Sequence, residues 1–98
     1  MKESTIQSEI LEYLNNLPNC KAINNHTGGF DRTGEPDIYA CLSGQFIALE
    51  VKKPGENPTK IQEKRLREWE DAKGVAGVVT SIQDVRIILD IFNHNKGE

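Results

Sequence analysis

Two short runs, Asp37–Leu42 (DIYACL) and Gln45–Lys52 (QFIALEVK), set β-forming apolar residues against polar ones. Ser43-Gly44 separates them, a pair suited to a two-residue turn, so the pattern predicts a β-hairpin. A tight turn places Leu42 opposite Gln45, Ala40 opposite Ile47, Ile38 opposite Leu49 and Asp37 opposite Glu50. Directly paired residues share a face, and successive residues alternate between faces. Ile38, Ala40, Leu42, Ile47, Leu49 and Val51 then form a core surface. Asp37, Tyr39, Cys41, Phe46, Ala48, Glu50 and Lys52 occupy the opposite face.

The flanking segments read as helices and short strands. Ile6, Ile10, Leu14 and Leu17 recur at helical spacing, which predicts a helix up to about Leu17, ended by Pro18-Asn19. A short strand follows over Lys21–Asn25. The Gly-rich stretch His26–Glu35 reads as a loop, and Pro54–Pro58 as a turn. A second helix is expected over Thr59–Lys73 with Thr59 as its N-cap. Val75–Thr80 reads as a buried strand. A third helix spans Ser81–Phe92, capped by Ser81, supported by Asp84, and apolar at Ile82, Val85, Ile88, Leu89 and Phe92. The order αβββαβα predicts an α/β fold, a central sheet flanked by helices.

The hairpin register is where chemistry enters. It stands the Asp37 and Glu50 carboxylates side by side, roughly 5 Å apart at Cβ, a repulsive arrangement in a bare sheet. Lys52 projects from the same face, roughly 6–7 Å further along the strand. A hard divalent cation with oxygen ligands removes the repulsion. Lys52 merely neutralising a sheet-end carboxylate would explain an isolated Glu-x-Lys better. The added Asp37, turn and register favour a metal site.

Two helices add polar residues to their buried sides. If the first helix includes Glu3, then Glu3 and Gln7 fall within its apolar stripe, while Glu9 and Glu12 face water. The alternative makes Ser4-Thr5-Ile6-Gln7 a capping box and leaves Glu3 outside the helix. On the second helix Ile61, Leu66, Trp69 and Ala72 mark the buried side, with Gln62 among them. A Gln there needs partners, either the acidic site or purely structural ones. Lys60, Lys64 and Arg67 share the opposite, solvent-facing side.

Composition sets the outer bounds. The 98 residues suit one domain, 1–98, with a single core. No apolar run is long enough to span a membrane and no signal-peptide pattern is present, so a cytoplasmic protein is expected. Cys20 and Cys41 lack metal-ligand spacing and read as ordinary thiols. His26 and His94 are isolated. The net charge of −3 and a pI near 5.4 weigh mildly against nucleic-acid binding. The distribution weighs the other way. Lys52, Lys53, Lys60, Lys64, Arg65 and Arg67 against Glu56 and Glu63 give a local +4, leaving −7 elsewhere. On charge alone, that run reads as a solvated helix face.

Taken in order, Gly34-Glu35-Pro36-Asp37, Glu50-Val51-Lys52, Pro54-Gly55 and Thr59-Lys60-Ile61-Gln62 resemble the PD-(D/E)xK nuclease superfamily. More narrowly they resemble its VRR-NUC branch, which Glu3-x-x-x-Gln7 also fits. Thr59 stands where many members have Ser. The resemblance spans Glu3 to about Thr80 and implies a restriction-endonuclease-like core with a mixed sheet and nothing beyond the nuclease module. It implies Mg²⁺ or Mn²⁺ held by Asp37, Glu50 and the Val51 carbonyl, with Glu3 joining directly or through water. It implies Lys52 as the residue that orients the attacking water, and Gln62 as support. The implied reaction is phosphodiester hydrolysis. Stand-alone members, from bacteria and phages, resemble Holliday-junction resolvases acting as homodimers on four-way junctions. The competing readings are a nuclease for flap or duplex DNA, a non-catalytic DNA-binding or assembly module on the same fold, and an unrelated α/β domain.

Overall fold

The structure, a computed structural model, describes residues 1–25 and 33–96, with side chains to Asn93. Most of the predicted Gly-rich loop, including His26, lies outside the described residues, as does the His94 side chain. The elements are α1 (Glu3–Asn15), β1 (Cys20–Asn24), β2 (Ile38–Leu42), β3 (Gln45–Val51), α2 (Lys60–Asp71), β4 (Val75–Val79) and α3 (Ile82–Lys96). Their order is the predicted αβββαβα. The sheet is mixed, in the order β1-β2-β3-β4, antiparallel except for the β3–β4 pair. A parallel pair needs a crossover, and α2 supplies it.

The hairpin register is the predicted one, with Ile38, Ala40 and Leu42 opposite Leu49, Ile47 and Gln45. Ser43 and Gly44 both take positive φ, 51° and 87°, which is the signature of a type I′ turn. That twist matches the strands and excludes a one-residue slip, which would turn the core face to water.

One face of the sheet carries the main core. Ile38, Ala40, Ile47, Leu49, Val51 and Val79 pack with Ile6, Ile10 and Leu14 of α1 and Val85 and Leu89 of α3. Fully burying an aliphatic side chain contributes roughly 1.5–3 kcal/mol, so these few contacts dominate stability. The other face is covered by α2, whose Trp69 ring packs on Tyr39 and Phe46 at centroid separations of 5.5 and 4.8 Å. Asn15 protects the exposed edge strand: its amide accepts from Ala22 N–H (2.8 Å) and donates to Ala22 C=O (3.0 Å).

Element ends differ from the sequence reading in physically simple ways. α1 starts at Glu3, with Lys2 as an N-cap that makes no side-chain bond, so the Ser4–Gln7 capping box does not form. α1 also stops at Asn15 rather than Leu17. α2 ends at Asp71, leaving Ala72 exposed rather than on the buried side. α3 runs past Phe92 to Lys96 because a started helix continues through polar residues without needing burial. Among the described residues, no helix is long and apolar enough to cross a membrane.

Candidate metal centre

Four elements bring polar side chains to one end of the sheet. Asp37 lies just before β2, and its backbone C=O accepts from Asn25 N–H (2.7 Å) and from the Gln7 side chain (3.5 Å). Its carboxylate Oδ2 accepts from the Val51 backbone N–H at 2.8 Å. Glu50, near the end of β3, points from the face opposite the main core and is only 2% exposed. Gln62 Nε2 donates to Glu50 Oε2 at 3.1 Å. Lys52 Nζ lies 3.9 Å from that same oxygen, a loose ion pair. Among the described residues, no N–H or hydroxyl group donates to Glu50 Oε1, which is buried beside the Asp37 carboxylate. A buried carboxylate oxygen left this way is costly unless something at the site satisfies it.

Gln62 serves its own helix terminus and reaches Glu50 at once. Its Oε1 accepts from Thr59 N–H (2.8 Å) and its backbone N–H donates to Thr59 Oγ1 (3.2 Å), forming a reciprocal capping box. Its remaining amide nitrogen is thereby aimed at Glu50. The capping box and the bond to Glu50 are therefore one arrangement.

The electrostatics follow from burial. Glu50's carboxyl is pushed up to about 8, first by desolvation and then by the charge and hydrogen bonding of Asp37, against the pull of Lys52. Glu3 stands near enough to add to this, but its own carboxyl turns to the Pro54–Pro58 loop. There a hydrogen bond to Glu56 holds it above the usual carboxylate range, with burial contributing. Glu56 is held low by that same bond and by one from Lys53 N–H (3.0 Å). Among the described residues, no three His, Cys, Asp or Glu side chains are grouped to hold a metal ion. The Glu3 carboxyl therefore stands beside the Asp37–Glu50 pair with Glu56 as its neighbour.

The donor chemistry still fits a hard divalent cation. Two adjacent carboxylates, with one buried oxygen that no described N–H or hydroxyl group satisfies, suit Mg²⁺, which is usually held by one or two carboxylates and keeps several waters.

No protein-family model and no curated protein matches the sequence. Solved structures do. One described as "VRR_NUC domain" superposes at a TM-score of 0.74, with 22% identity, over 90% of this chain and 94% of that one. Another, a "VRR_NUC domain protein", gives 0.73 and 16% over 92% and 86%. This chain has the VRR-NUC fold.

That fold places the sequence-predicted residues unequally. Asp37, Glu50, Lys52 and Gln62 converge, and Glu3 stands at the rim. Lys60, Lys64 and Arg67 are exposed on the outer side of α2, as expected. Sequence reasoning missed Glu56, Asn25 and the Asp37 bond to the Val51 amide. Glu56 entered only as a charge, because the turn that folds it back to Glu3 is tertiary. Gly34 is a further constraint. Its φ is +84°, and a Cβ there would lie 2.9 Å from Ile61 Cγ1. Gly34→Ala is expected to cost roughly 2–3 kcal/mol from left-handed strain and crowding. A urea melt would register it; an unchanged midpoint would refute the close approach.

Proposed function

We propose that this protein is a Mg²⁺-dependent, structure-selective DNA endonuclease that resolves four-way junctions as a homodimer. The observation that carries the reading is the buried Glu50 carboxylate, with one oxygen that no described N–H or hydroxyl group satisfies, beside Asp37 and Lys52. A site serving only stability would gain from an apolar residue there.

Asp37 and Glu50 would hold the cation, with the Val51 carbonyl as a further ligand and Glu3 completing the site directly or through water. A bound divalent ion lowers the pKa of a coordinated water and offsets charge on the phosphate. Asp37 commits one oxygen to the Val51 N–H, so its carboxylate is fixed before the ion arrives. Gln62 holds Glu50 Oε2, which leaves Oε1 to a bound ion. Lys52, only 14% exposed and loosely paired, keeps its charge close to the scissile phosphate, where negative charge grows.

The junction preference and the dimer rest on symmetry. Two paired cuts across a four-way junction require two sites related by a two-fold axis, and this chain builds one. A second protomer would also extend the basic Lys52–Arg67 region into a longer DNA-binding surface despite the net charge of −3. Both cytoplasmic location and Mn²⁺ in place of Mg²⁺ are compatible with this chemistry.

A cleavage panel over junction, flap, duplex and single-stranded DNA with Mg²⁺ tests the proposal. Symmetric paired nicks on the junction alone are expected. Equal cutting of duplex or flap would overturn the junction preference but leave a nuclease. Junction binding with no cleavage in Mg²⁺ or Mn²⁺ would instead identify a non-catalytic DNA-binding module.

A further inference from the structure

One side of α2 carries Ile61, Arg65 and Trp69 at successive four-residue steps, so they form a single stripe. Each meets one residue of the segment that leads into β2. Ile61 lies against Gly34. Arg65 Nε donates to the Thr33 C=O at 3.1 Å. Trp69 Nε1 donates to Glu35 Oε1 at 3.0 Å, and the Tyr39 hydroxyl donates to the same oxygen at 3.1 Å. Trp69 and Tyr39 are themselves packed, together with Phe46, at 4.8–5.5 Å between ring centroids. Both donors are thus fixed in place by ring packing before they meet the carboxylate.

Only Pro36 separates Glu35 from Asp37. Pro36 is fully buried, its C=O accepts from Asn25 Nδ2 at 3.0 Å, and its ring fixes one of the few dihedrals in between. An error in where Glu35 sits therefore passes to Asp37 with little slack. The same helix holds Glu50 through Gln62, seven residues before Trp69, about 10 Å along the axis. Both carboxylates are referenced to one rigid element.

We infer that Glu35 is a positioning residue: by docking on Trp69 and Tyr39 it sets Asp37 against Glu50, so that α2 fixes the spacing of the pair. This rests on Asp37 and Glu50 being the working pair of the proposed nuclease. Glu35 itself touches neither carboxylate through any bond described above, and it acts through the backbone of Pro36 and Asp37.

The test reads the Asp37 carboxylate directly. The Val51 amide donates to Asp37 Oδ2, whereas its neighbour Lys52 donates to the Val79 C=O at 3.0 Å. Amide hydrogen exchange at these two positions is measured for the metal-free protein and for Glu35→Ala, Glu35→Gln and Trp69→Phe. In Glu35→Ala the Val51 amide is expected to exchange roughly tenfold faster or more, with Lys52 unchanged. Glu35→Gln keeps an oxygen acceptor for both donors and is expected to stay within about twofold of the parent. Trp69→Phe keeps the ring but loses one donor, and falls between them; it also asks the question should Glu35→Ala not fold. Mn²⁺ affinity by calorimetry is expected to weaken in the same order, about tenfold for Glu35→Ala. Equal acceleration of both amides would mean general loosening, and an unchanged Val51 amide would mean no linkage; either overturns the inference. A parent protein that cleaves no DNA would sink the nuclease reading alone, since the exchange measurement needs neither metal nor activity.

Discussion

Lys52→Ala is expected to lower junction cleavage by about 10²–10³-fold while leaving junction affinity within a few-fold. The lysine is largely enclosed beside Glu50, and its Nζ lies 3.9 Å from Oε2. A tight ion pair would spend that charge on stability. The long separation instead leaves it free to respond to charge developing on a phosphate. DNA affinity depends on many phosphate contacts, and the exposed Lys60, Lys64 and Arg67 are untouched by the change. Asp37→Asn should remove cleavage altogether, because an amide is a much poorer ligand for a hard cation. The amide oxygen can still accept from the Val51 N–H, so the fold should hold. Cleavage at near-parent rates by Asp37→Asn, at saturating Mg²⁺, would refute the assignment of the site.

The metal-free protein is expected to lose stability as pH rises from about 5 to about 9. Glu50 titrates near 8 in the folded chain, against an ordinary value of 4.5. Between those values the folded state keeps a proton that the unfolded state has released. Stability therefore falls with rising pH across that window and levels off above it. Each unit corresponds to about 1.4 kcal/mol, and with partial solvent screening the contribution is roughly 2–4 kcal/mol. The quantity to measure is the difference between the parent and Glu50→Gln melting curves, which removes the contributions of other carboxylates. Glu50→Gln should be the more stable protein at pH 9, by roughly 10–20 °C in Tm, and the gap should close by pH 5. Excess Mg²⁺ is expected to narrow the gap at high pH, because a cation binds the ionised carboxylate and releases its proton. A gap independent of pH would rule out a buried, titrating Glu50.

Much of the fold was legible because short-range rules act on it. The Ser43-Gly44 pair dictates a primed turn, the turn dictates the register, and alternation then separates Ile38, Ala40, Ile47, Leu49 and Val51 from Asp37, Glu50 and Lys52. Helical periodicity similarly located α1, α2 and α3, though not their ends, where few contacts distinguish one more residue from one fewer.

The site was legible only where it hangs on that hairpin. That Asp37 faces Glu50 follows from a turn two residues long. Whether α1 begins at Glu3 or after it does not follow from the local sequence, since Ser4–Gln7 also fits a capping box. The bond from Glu3 to Glu56, the reach of Gln62 to Glu50 and the docking of Glu35 on Trp69 join residues from 12 to 53 positions apart. No periodicity encodes such pairs; they arise when helices settle on opposite faces of the sheet. The sequence by itself determined which side chains share a face and which carboxylates meet. Only the tertiary structure decided how deeply Glu50 is buried and which of its oxygens Gln62 reaches. Burial depends on how α2 closes over the sheet, and that is a property of packing rather than of order along the chain.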